Sequence, residues 1–290
     1  MIKSRVTRIG DWVVVFFCVL LILICLLPLL NIIARSLSSA MALVRNEVLL
    51  WPVGWNLDAY TTVLKDARYT WSLEWTAMLT IICMAFSLFM TILAAYPLSY
   101  DHLKGRNFFN TLIILTMYFS AGIIPNYLLL KDLGFLNNPL VLIIPNCLSV
   151  FYLIILRGFF YGIPDSLRES AELDGAGPIR VLVSIYLPLS TSALATLTLF
   201  YAVGRWNGFS DALMYLTQKR EYYPIQRLLY DILNSTNSFE VTTQEGFTTP
   251  GLAETLRMAS VIFATVPILL IYPWLQKYFI TGVTVGAEKG

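Results

Sequence analysis

The sequence predicts an all-α protein that crosses a membrane six times. Three observations predict this fold: the composition is strongly apolar, charged residues are scarce, and the apolar residues fall in long uncharged blocks. Of the 290 residues, 57% are hydrophobic and only 13% are Asp, Glu, Lys or Arg. That charged fraction is about half of what an average soluble domain carries. Lipid rather than water must therefore contact most of the surface.

Six blocks of the chain are long enough, or nearly long enough, to cross a bilayer as helices. A spanning helix needs about 20 apolar residues, because the hydrocarbon core is about 30 Å thick and each residue rises about 1.5 Å. The six blocks contain no charged residue. In order, they cover residues 12–33, 75–98, 108–130, 136–156, 187–203 and 258–275. We therefore expect residues 1–290 to form a single transmembrane domain.

The first block has an alternative interpretation as a secretory signal peptide. Lys3, Arg5 and Arg8 precede it, and the stretch 38–42, rich in small residues, follows it. However, its run of about 22 apolar residues exceeds the roughly 7–15 residues of a signal-peptide core. We interpret the block as an uncleaved first span.

The placement of Lys and Arg predicts the orientation of the spans. With the N-terminus inside, the cytoplasmic pieces hold 10 of the 20 Lys and Arg residues in only about 65 residues of chain. The external pieces hold the other 10 in about 100 residues. This bias predicts that both termini are cytoplasmic and that the loop 205–257 is external.

Catalytic and metal-binding chemistry is not indicated by any motif. The chain has one histidine, His102, and no HExxH, GxSxG or GxxxxGK[ST] pattern, so we expect no metal site, cofactor or nucleotide site in this chain. An intramembrane enzyme would need ionisable groups at mid-membrane, and the six blocks contain none. A net charge of +2 without a basic patch does not favour nucleic acid. The cysteines all lie inside apolar blocks, outside any CxxC pair: Cys18, Cys25, Cys83 and Cys147.

The segment between the fourth and fifth blocks is the most informative part of the chain. Pro164 suits the first position of a helix, and Asp165 suits the positive end of the helix dipole. Gly175 or Gly177 can take the left-handed conformation that ends a helix. The pattern predicts a short cytoplasmic helix within 164–177, followed by a second helix that enters the membrane.

The predicted helix has one face on which residues recur at i, i+3, i+4 and i+7. Small side chains on that face permit close approach by another protein. A short charged helix with little apolar surface also suits a protein groove better than lipid. We expect Ala171 to face such a partner. The whole face consists of Leu167, Ser170, Ala171 and Asp174.

The same segment resembles the EAA motif of bacterial ABC importer permeases. That motif reads EAA, three residues, Gly, nine residues and Ile-x-Leu-Pro, and the spacing from Glu169 through Gly175 to Pro188 matches it throughout. Ser170 stands at the second position, a small residue for a small residue. The resemblance implies a type I importer permease fold, with this helix as the coupling helix seated in a cytoplasmic ATPase. The residues to which it gives this coupling function are Glu169, Ser170, Ala171, Asp174 and Gly175.

Further stretches resemble carbohydrate importer permeases. The run Trp206–Phe209 is similar to their Trp-Asn-x-aromatic signature, and the tail 282–290 is similar to tails of the maltose-permease type. The stretches 119–125 and 131–134 resemble the subset that handles complex or acidic oligosaccharides, such as alginate importers. The resemblance implies a carbohydrate cargo, with Trp206 and Asn207 in the substrate pathway. Sugars need hydrogen-bond partners and aromatic faces. Further candidates for the substrate pathway are therefore Asn126, Tyr127, Asn146 and Tyr152. Helix packing is an alternative role for each of these residues.

The resemblance also implies the partners and the location. It implies a heterodimer with a second permease subunit, and two ATPase subunits that bind ATP and Mg²⁺. It also implies an external solute-binding protein, which the loop 205–257 would contact. The expected location is the bacterial cytoplasmic (inner) membrane. Two alternatives stay open. The same architecture could import an amino acid, phosphate or a metal complex, and a passive scaffold would explain the hydropathy but not the spacing of the motif.

Overall fold

The computed structural model describes the backbone of residues 5–234 and 251–287, and the side chains of residues 11–234 and 251–271. Within these ranges every regular element is helical and no strand occurs. The predicted all-α class is therefore confirmed. Residues 235–250, which belong to the expected external loop 205–257, and the end of the tail, residues 288–290, lie outside the described residues.

Long membrane-type helices alternate with short connecting helices along the chain. Two 3₁₀ turns, Pro139–Leu142 and Arg220–Tyr222, and one π-helical stretch, Leu182–Tyr186, interrupt the α-helices. The α-helices are α1 (Arg5–Ser36), α2 (Ala40–Val44), α3 (Asp58–Lys65), α4 (Ala67–Ser99), α5 (Arg106–Tyr118), α6 (Ile123–Asp132), α7 (Val150–Tyr161), α8 (Asp165–Leu173), α9 (Pro178–Val181), α10 (Leu187–Leu189), α11 (Thr191–Asn207), α12 (Ser210–Tyr215), α13 (Ile225–Asn234) and α14 (Leu252–Ala287).

The chain divides into two compact units. Unit 1 consists of Met1–Thr70 and Leu229–Val266. Its described part is held together by an ion pair between Arg35 and Glu254 and by a 2.9 Å hydrogen bond between the Tyr69 hydroxyl and Ser260. A small buried apolar cluster lies beside α2 and consists of Ala34, Ala42, Leu43 and Val48.

Unit 2 consists of Trp71–Leu228 and Pro267–Gly290 and contains two buried clusters. In the Trp75 cluster, α4 packs against the first 3₁₀ turn and α12, and the Trp75 indole donates to the Tyr222 carbonyl at 2.8 Å. In the Tyr96 cluster, the end of α4 packs against α7, the π-helical stretch and α11. The buried members of the Tyr96 cluster are Ala95, Tyr96, Leu156, Phe160, Val181, Leu182, Tyr186, Ala193 and Leu197.

Three helices in the described part are long and apolar enough to cross a membrane: Asp11–Ser36 of α1, the whole of α4, and Leu252–Ile271 of α14. They contain the first two predicted blocks and most of the sixth. The remaining candidates are bent pairs: α5 with α6 at 112°, α7 with α8 at 70°, and the helix Pro178–Leu189 with α11 at 83°. The number of spans reaches six if each bent pair is one span.

The fourth predicted block, 136–156, is not the unbroken helix that we expected. Asn137 has a positive φ of 55°, the Asn138 side chain caps the 3₁₀ turn by accepting from the Leu140 amide at 3.0 Å, and α7 begins only at Val150. The third block also breaks, at Gly122, which has φ of +90°. Hydropathy reports where side chains are buried, in lipid or protein, but it does not report these local changes of backbone direction.

Candidate functional site

Helix α8 is a short, exposed helix that ends in a sharp turn. Gly175 has φ of +82°. The Ala176 amide donates to the Ala171 carbonyl at 2.9 Å, and the Gly175 amide donates to the Glu172 carbonyl at 3.0 Å. These two bonds form a Schellman motif, which requires a left-handed residue after the helix. Gly175 therefore ends the helix, whereas Gly177 is extended with φ of −74°.

Three of the four residues on the predicted docking face of α8 are exposed, namely Leu167, Ser170 and Asp174. The fourth residue, Ala171, is half-buried and packs against the Tyr96 cluster of its own chain, and its contact with a partner stays a prediction. Its small side chain lets α8 approach the helices of its own chain. The outward surface contains Leu173, which is 89% exposed, with Glu169 and Ser170 beside it. The role of these residues in docking stays a prediction.

Arg168 fastens α8 to the rest of unit 2. Its guanidinium lies 4.8 Å from the centre of the Tyr100 ring, and it forms ion pairs with Asp165 at 3.1 Å and with Glu172 at 3.6 Å. Burial lowers the pKa of Arg168, but the hydrogen bond that Arg168 donates to Asp165 and the charges of Glu172 and Asp165 outweigh burial and raise the pKa. We did not single out Arg168 from the sequence. The sequence does contain a signal for these ion pairs, because Asp165 and Glu172 lie three residues before and four residues after Arg168, on the same side of a helix.

A group of aromatic rings continues from Arg168 into the membrane helices. The rings of Tyr100 and Tyr186 stack with centroids 6.3 Å apart, and Tyr96 meets Tyr186 edge-on at 5.1 Å. The Tyr96 hydroxyl donates to the Pro178 carbonyl at 2.9 Å. Tyr186 is the last residue of the π-helical stretch, just before the Leu187-Pro188 pair of the motif. Packing therefore connects α8, the end of α4 and the segment that leads into α11.

Unit 2 also contains a cavity of about 880 Å³, which opens to the surface of the chain. Among its described lining residues, the charged ones are Arg205 and Asp211, and they pair with each other. The Arg205 guanidinium donates to the Asp211 carboxylate at 3.1 Å and to the carbonyls of Leu142 at 3.3 Å and Gly208 at 3.0 Å. The charges on the cavity wall therefore cancel, and both terminal amino groups of Arg205 are engaged, while its buried Nε has no hydrogen-bond partner among the described residues.

Several polar groups on the cavity wall make no hydrogen bond to another described residue, and three of them belong to candidates from the sequence. The side-chain amides of Asn126 and Asn146 and the hydroxyl of Tyr152 line the cavity. None of them makes a hydrogen bond within the part of the chain that the structure describes. The Tyr152 ring is held edge-on to Tyr201 at 4.8 Å and stacked on Phe200 at 5.6 Å. The wall therefore combines open hydrogen-bonding groups with a fixed aromatic ring.

The two preferred pathway residues do not line this cavity. Trp206 is buried, with 5% of its surface exposed, and the exposed Asn207 donates its amide to the Val203 carbonyl at 3.0 Å. Tyr127, a further candidate, stacks on Tyr215 in the Trp75 cluster at 6.0 Å. A pathway role for Trp206 and Asn207 stays a prediction. We did not select Arg205 from the sequence, because its pairing with Asp211 depends on the turn between α11 and α12.

Comparison with known proteins agrees with this architecture. The family model for the binding-protein-dependent transport system inner membrane component matches residues 85–285. The polygalacturonan/rhamnogalacturonan transport system permease protein YtcP of Bacillus subtilis is 38% identical, over 98% of this chain and 99% of that protein. Protein LplC of Bacillus subtilis is 39% identical, over 92% of this chain and 90% of that protein.

A solved structure gives the same result at the level of the fold. One chain of a bacterial ABC transporter involved in the import of the acidic polysaccharide alginate superposes with a TM-score of 0.90 at 34% identity, covering 96% of this chain and 99% of that chain. The resemblance found in the motif 169–188 is therefore confirmed. This chain belongs to the family of binding-protein-dependent transport system inner membrane components, and it is a multi-pass ABC importer permease with the type I fold rather than an enzyme.

Proposed function

We propose that this chain is a permease subunit of an ATP-driven importer that carries oligosaccharides delivered by an external binding protein. The observation that carries this proposal is the 38% identity, along nearly the whole chain, to a permease named for polygalacturonan and rhamnogalacturonan transport. The 34% identical chain from an alginate importer supports the same class of cargo. An amino acid, phosphate or metal-complex cargo has no comparable support among these relatives.

The other components of the transporter would be separate subunits. Because this chain has no phosphate-binding loop, ATP and Mg²⁺ would be bound by two ATPase subunits on the cytoplasmic side. A second permease chain would complete a heterodimer, and the binding protein would dock on the external side. Six spans with both termini cytoplasmic agree with the distribution of Lys and Arg.

Helix α8 is suited to receive motion from the ATPase. Two backbone hydrogen bonds close its Schellman turn at Gly175, and Leu173 and Ile179 expose 89% and 78% of their surface. Arg168 and the half-buried Ala171 hold α8 against the Tyr96 cluster. Packed cores shift between discrete arrangements rather than deforming continuously. A displacement of α8 by the ATPase would therefore move the end of α4 with it.

The test is reconstitution of the whole transporter in proteoliposomes with its binding protein. We expect oligogalacturonate-loaded or alginate-oligosaccharide-loaded binding protein to stimulate ATP hydrolysis and to support uptake of labelled saccharide. A parallel screen with amino acids, phosphate and metal chelates should produce no stimulation. Stimulation by one of these solutes, and by no saccharide, would overturn the proposed cargo.

A further inference from the structure

We propose that the cavity of unit 2 is a saccharide-binding site of this chain, in which Asn126, Asn146 and Tyr152 hold the sugar during its passage. This inference rests on the proposed function, and it adds a location and a mode of recognition. The volume of about 880 Å³ falls within the roughly 300–1,000 Å³ of small-molecule sites. It offers enough room for more than one sugar ring.

The unpartnered polar groups supply the recognition. A primary amide offers two donors and an acceptor, so the amides of Asn126 and Asn146 can each pair with neighbouring hydroxyls of a sugar. Both side chains are exposed toward the cavity, and neither hydrogen-bonds to another described residue. Folding of this chain does not use these groups, which leaves them available to a ligand.

The aromatic wall supplies the second half of the site. Tyr152 is half-buried and contacts the rings of Tyr201 and Phe200. The Tyr201 hydroxyl is itself fixed, since it accepts from the Ser149 amide at 3.2 Å and lies 2.7 Å from the Thr91 hydroxyl. A ring that is held in place loses little conformational freedom when a ligand packs on it. Tyr152 therefore offers a preorganised surface and an open hydroxyl at its tip.

The charge of the wall determines which part of a saccharide is recognised. Arg205 is only 9% exposed, and its guanidinium is engaged by Asp211, Leu142 and Gly208. The one unpaired donor of this guanidinium, Nε, is buried, so a uronate carboxylate would reach the guanidinium by opening the pair with Asp211 and would leave a buried carboxylate without its partner. The wall therefore contacts hydroxyls through neutral groups, and it holds the cargo weakly enough to release it.

The first experiment fills the cavity. Gly204 lines the cavity within α11, and a Cβ at this position meets no heavy atom within 4 Å. Gly204→Leu therefore adds a side chain without a clash near the backbone. The matched control is Gly158→Leu in α7. Gly158 is also helical, and a Cβ added there meets no heavy atom within 4 Å, but Gly158 does not line the cavity.

The second experiment removes the polar groups. The double variant Asn126→Ala, Asn146→Ala deletes two amides that the chain itself does not use. Asn107→Ala is the control, because Asn107 is exposed and lies outside the cavity wall. All variants are measured as complete transporters in proteoliposomes with saccharide-loaded binding protein. The two readouts are saccharide uptake and the stimulation of ATP hydrolysis by the loaded binding protein.

For Gly204→Leu we expect uptake to fall to near background while the binding protein still stimulates ATP hydrolysis. For the double Asn variant we expect about a tenfold loss of uptake, the loss that two ordinary hydrogen bonds predict. Both control variants should resemble the wild type. Normal uptake by Gly204→Leu would show that the sugar does not use the cavity. Normal uptake by the double Asn variant would show passage without the proposed contacts. A wild-type complex that no saccharide stimulates would instead overturn the proposed function itself.

Discussion

The guanidinium of Arg168 lies over the ring of Tyr100, 4.8 Å from its centre, and this contact ties the exposed helix α8 to the end of α4. Only 12% of the Arg168 side chain is exposed. Tyr100 stacks in turn on Tyr186, which precedes the helix that leads into α11. A displacement of α8 would therefore be transmitted through packed side chains to α4 and to the segment that leads into α11.

Replacing Arg168 should weaken this connection. Arg168→Gln removes the cation–π contact and both ion pairs, a loss of about 1–2 kcal/mol for a partly buried cation over an aromatic ring. We expect the ATPase still to co-purify but uptake per ATP hydrolysed to fall severalfold. Arg168→Lys keeps the charge but not the planar stacking, so it should be intermediate. An unchanged ratio of uptake to hydrolysis in Arg168→Gln would contradict a transmitting role.

The turn after α8 gives a second prediction, with a control two residues away. Gly175 has φ of +82°, so Gly175→Val should strain the turn by about 1–2 kcal/mol or more. We expect loss of the ATPase on co-purification and loss of uptake. Gly177→Val should be tolerated, because Gly177 is extended with φ of −74° and has open space at its Cβ position. Equal behaviour of the two variants would show that the left-handed turn is not required.

The orientation of α8 predicts opposite outcomes for two aspartate substitutions. Leu173 is 89% exposed, so Leu173→Asp should leave the chain folded but weaken docking by about 2 kcal/mol, the loss typical of an interface hot spot. Ala171→Asp should instead place a charge against the Tyr96 cluster and destabilise the chain itself. Thermal stability in detergent and co-purification of the ATPase measure the two effects. A Leu173→Asp chain that keeps the ATPase at the wild-type level would move the docking surface elsewhere.

The placement of the positive residues predicts the topology of the chain. Reporter fusions at Gly105 and Gly290 should be cytoplasmic, and a fusion at Asn237 should be external, because Lys and Arg concentrate in the predicted cytoplasmic pieces. Protease accessibility of a site inserted beside Glu169 provides an independent measurement. External accessibility at Glu169 would place α8 on the wrong side for an ATPase and would contradict the proposed orientation.

Some properties of this protein follow from its local sequence. Long uncharged blocks leave no alternative to helices in lipid, since each backbone polar group must be satisfied within its own segment. The local sequence also limited the end of α8 to Gly175 or Gly177, and the structure places it at Gly175. A glycine after an amphipathic turn takes the left-handed conformation at little cost, and two backbone bonds within six residues complete the motif. The spacing from Glu169 to Pro188 was sufficient to identify the family.

Other properties depend on contacts between residues that are distant in the chain. Ala171 faces inward because the Tyr96 cluster lies beneath α8, and the sequence of α8 carries no information about that cluster. The gathering of Asn126, Asn146 and Tyr152 around one cavity arises in the same way. Hydropathy and helical periodicity act over a few turns, whereas the packing of side chains from separate helices decides which face is buried and which polar groups are left for a ligand. The amino-acid sequence thus determined the helical class, the membrane and the family, and the tertiary packing alone decided the face of α8 and the wall of the cavity.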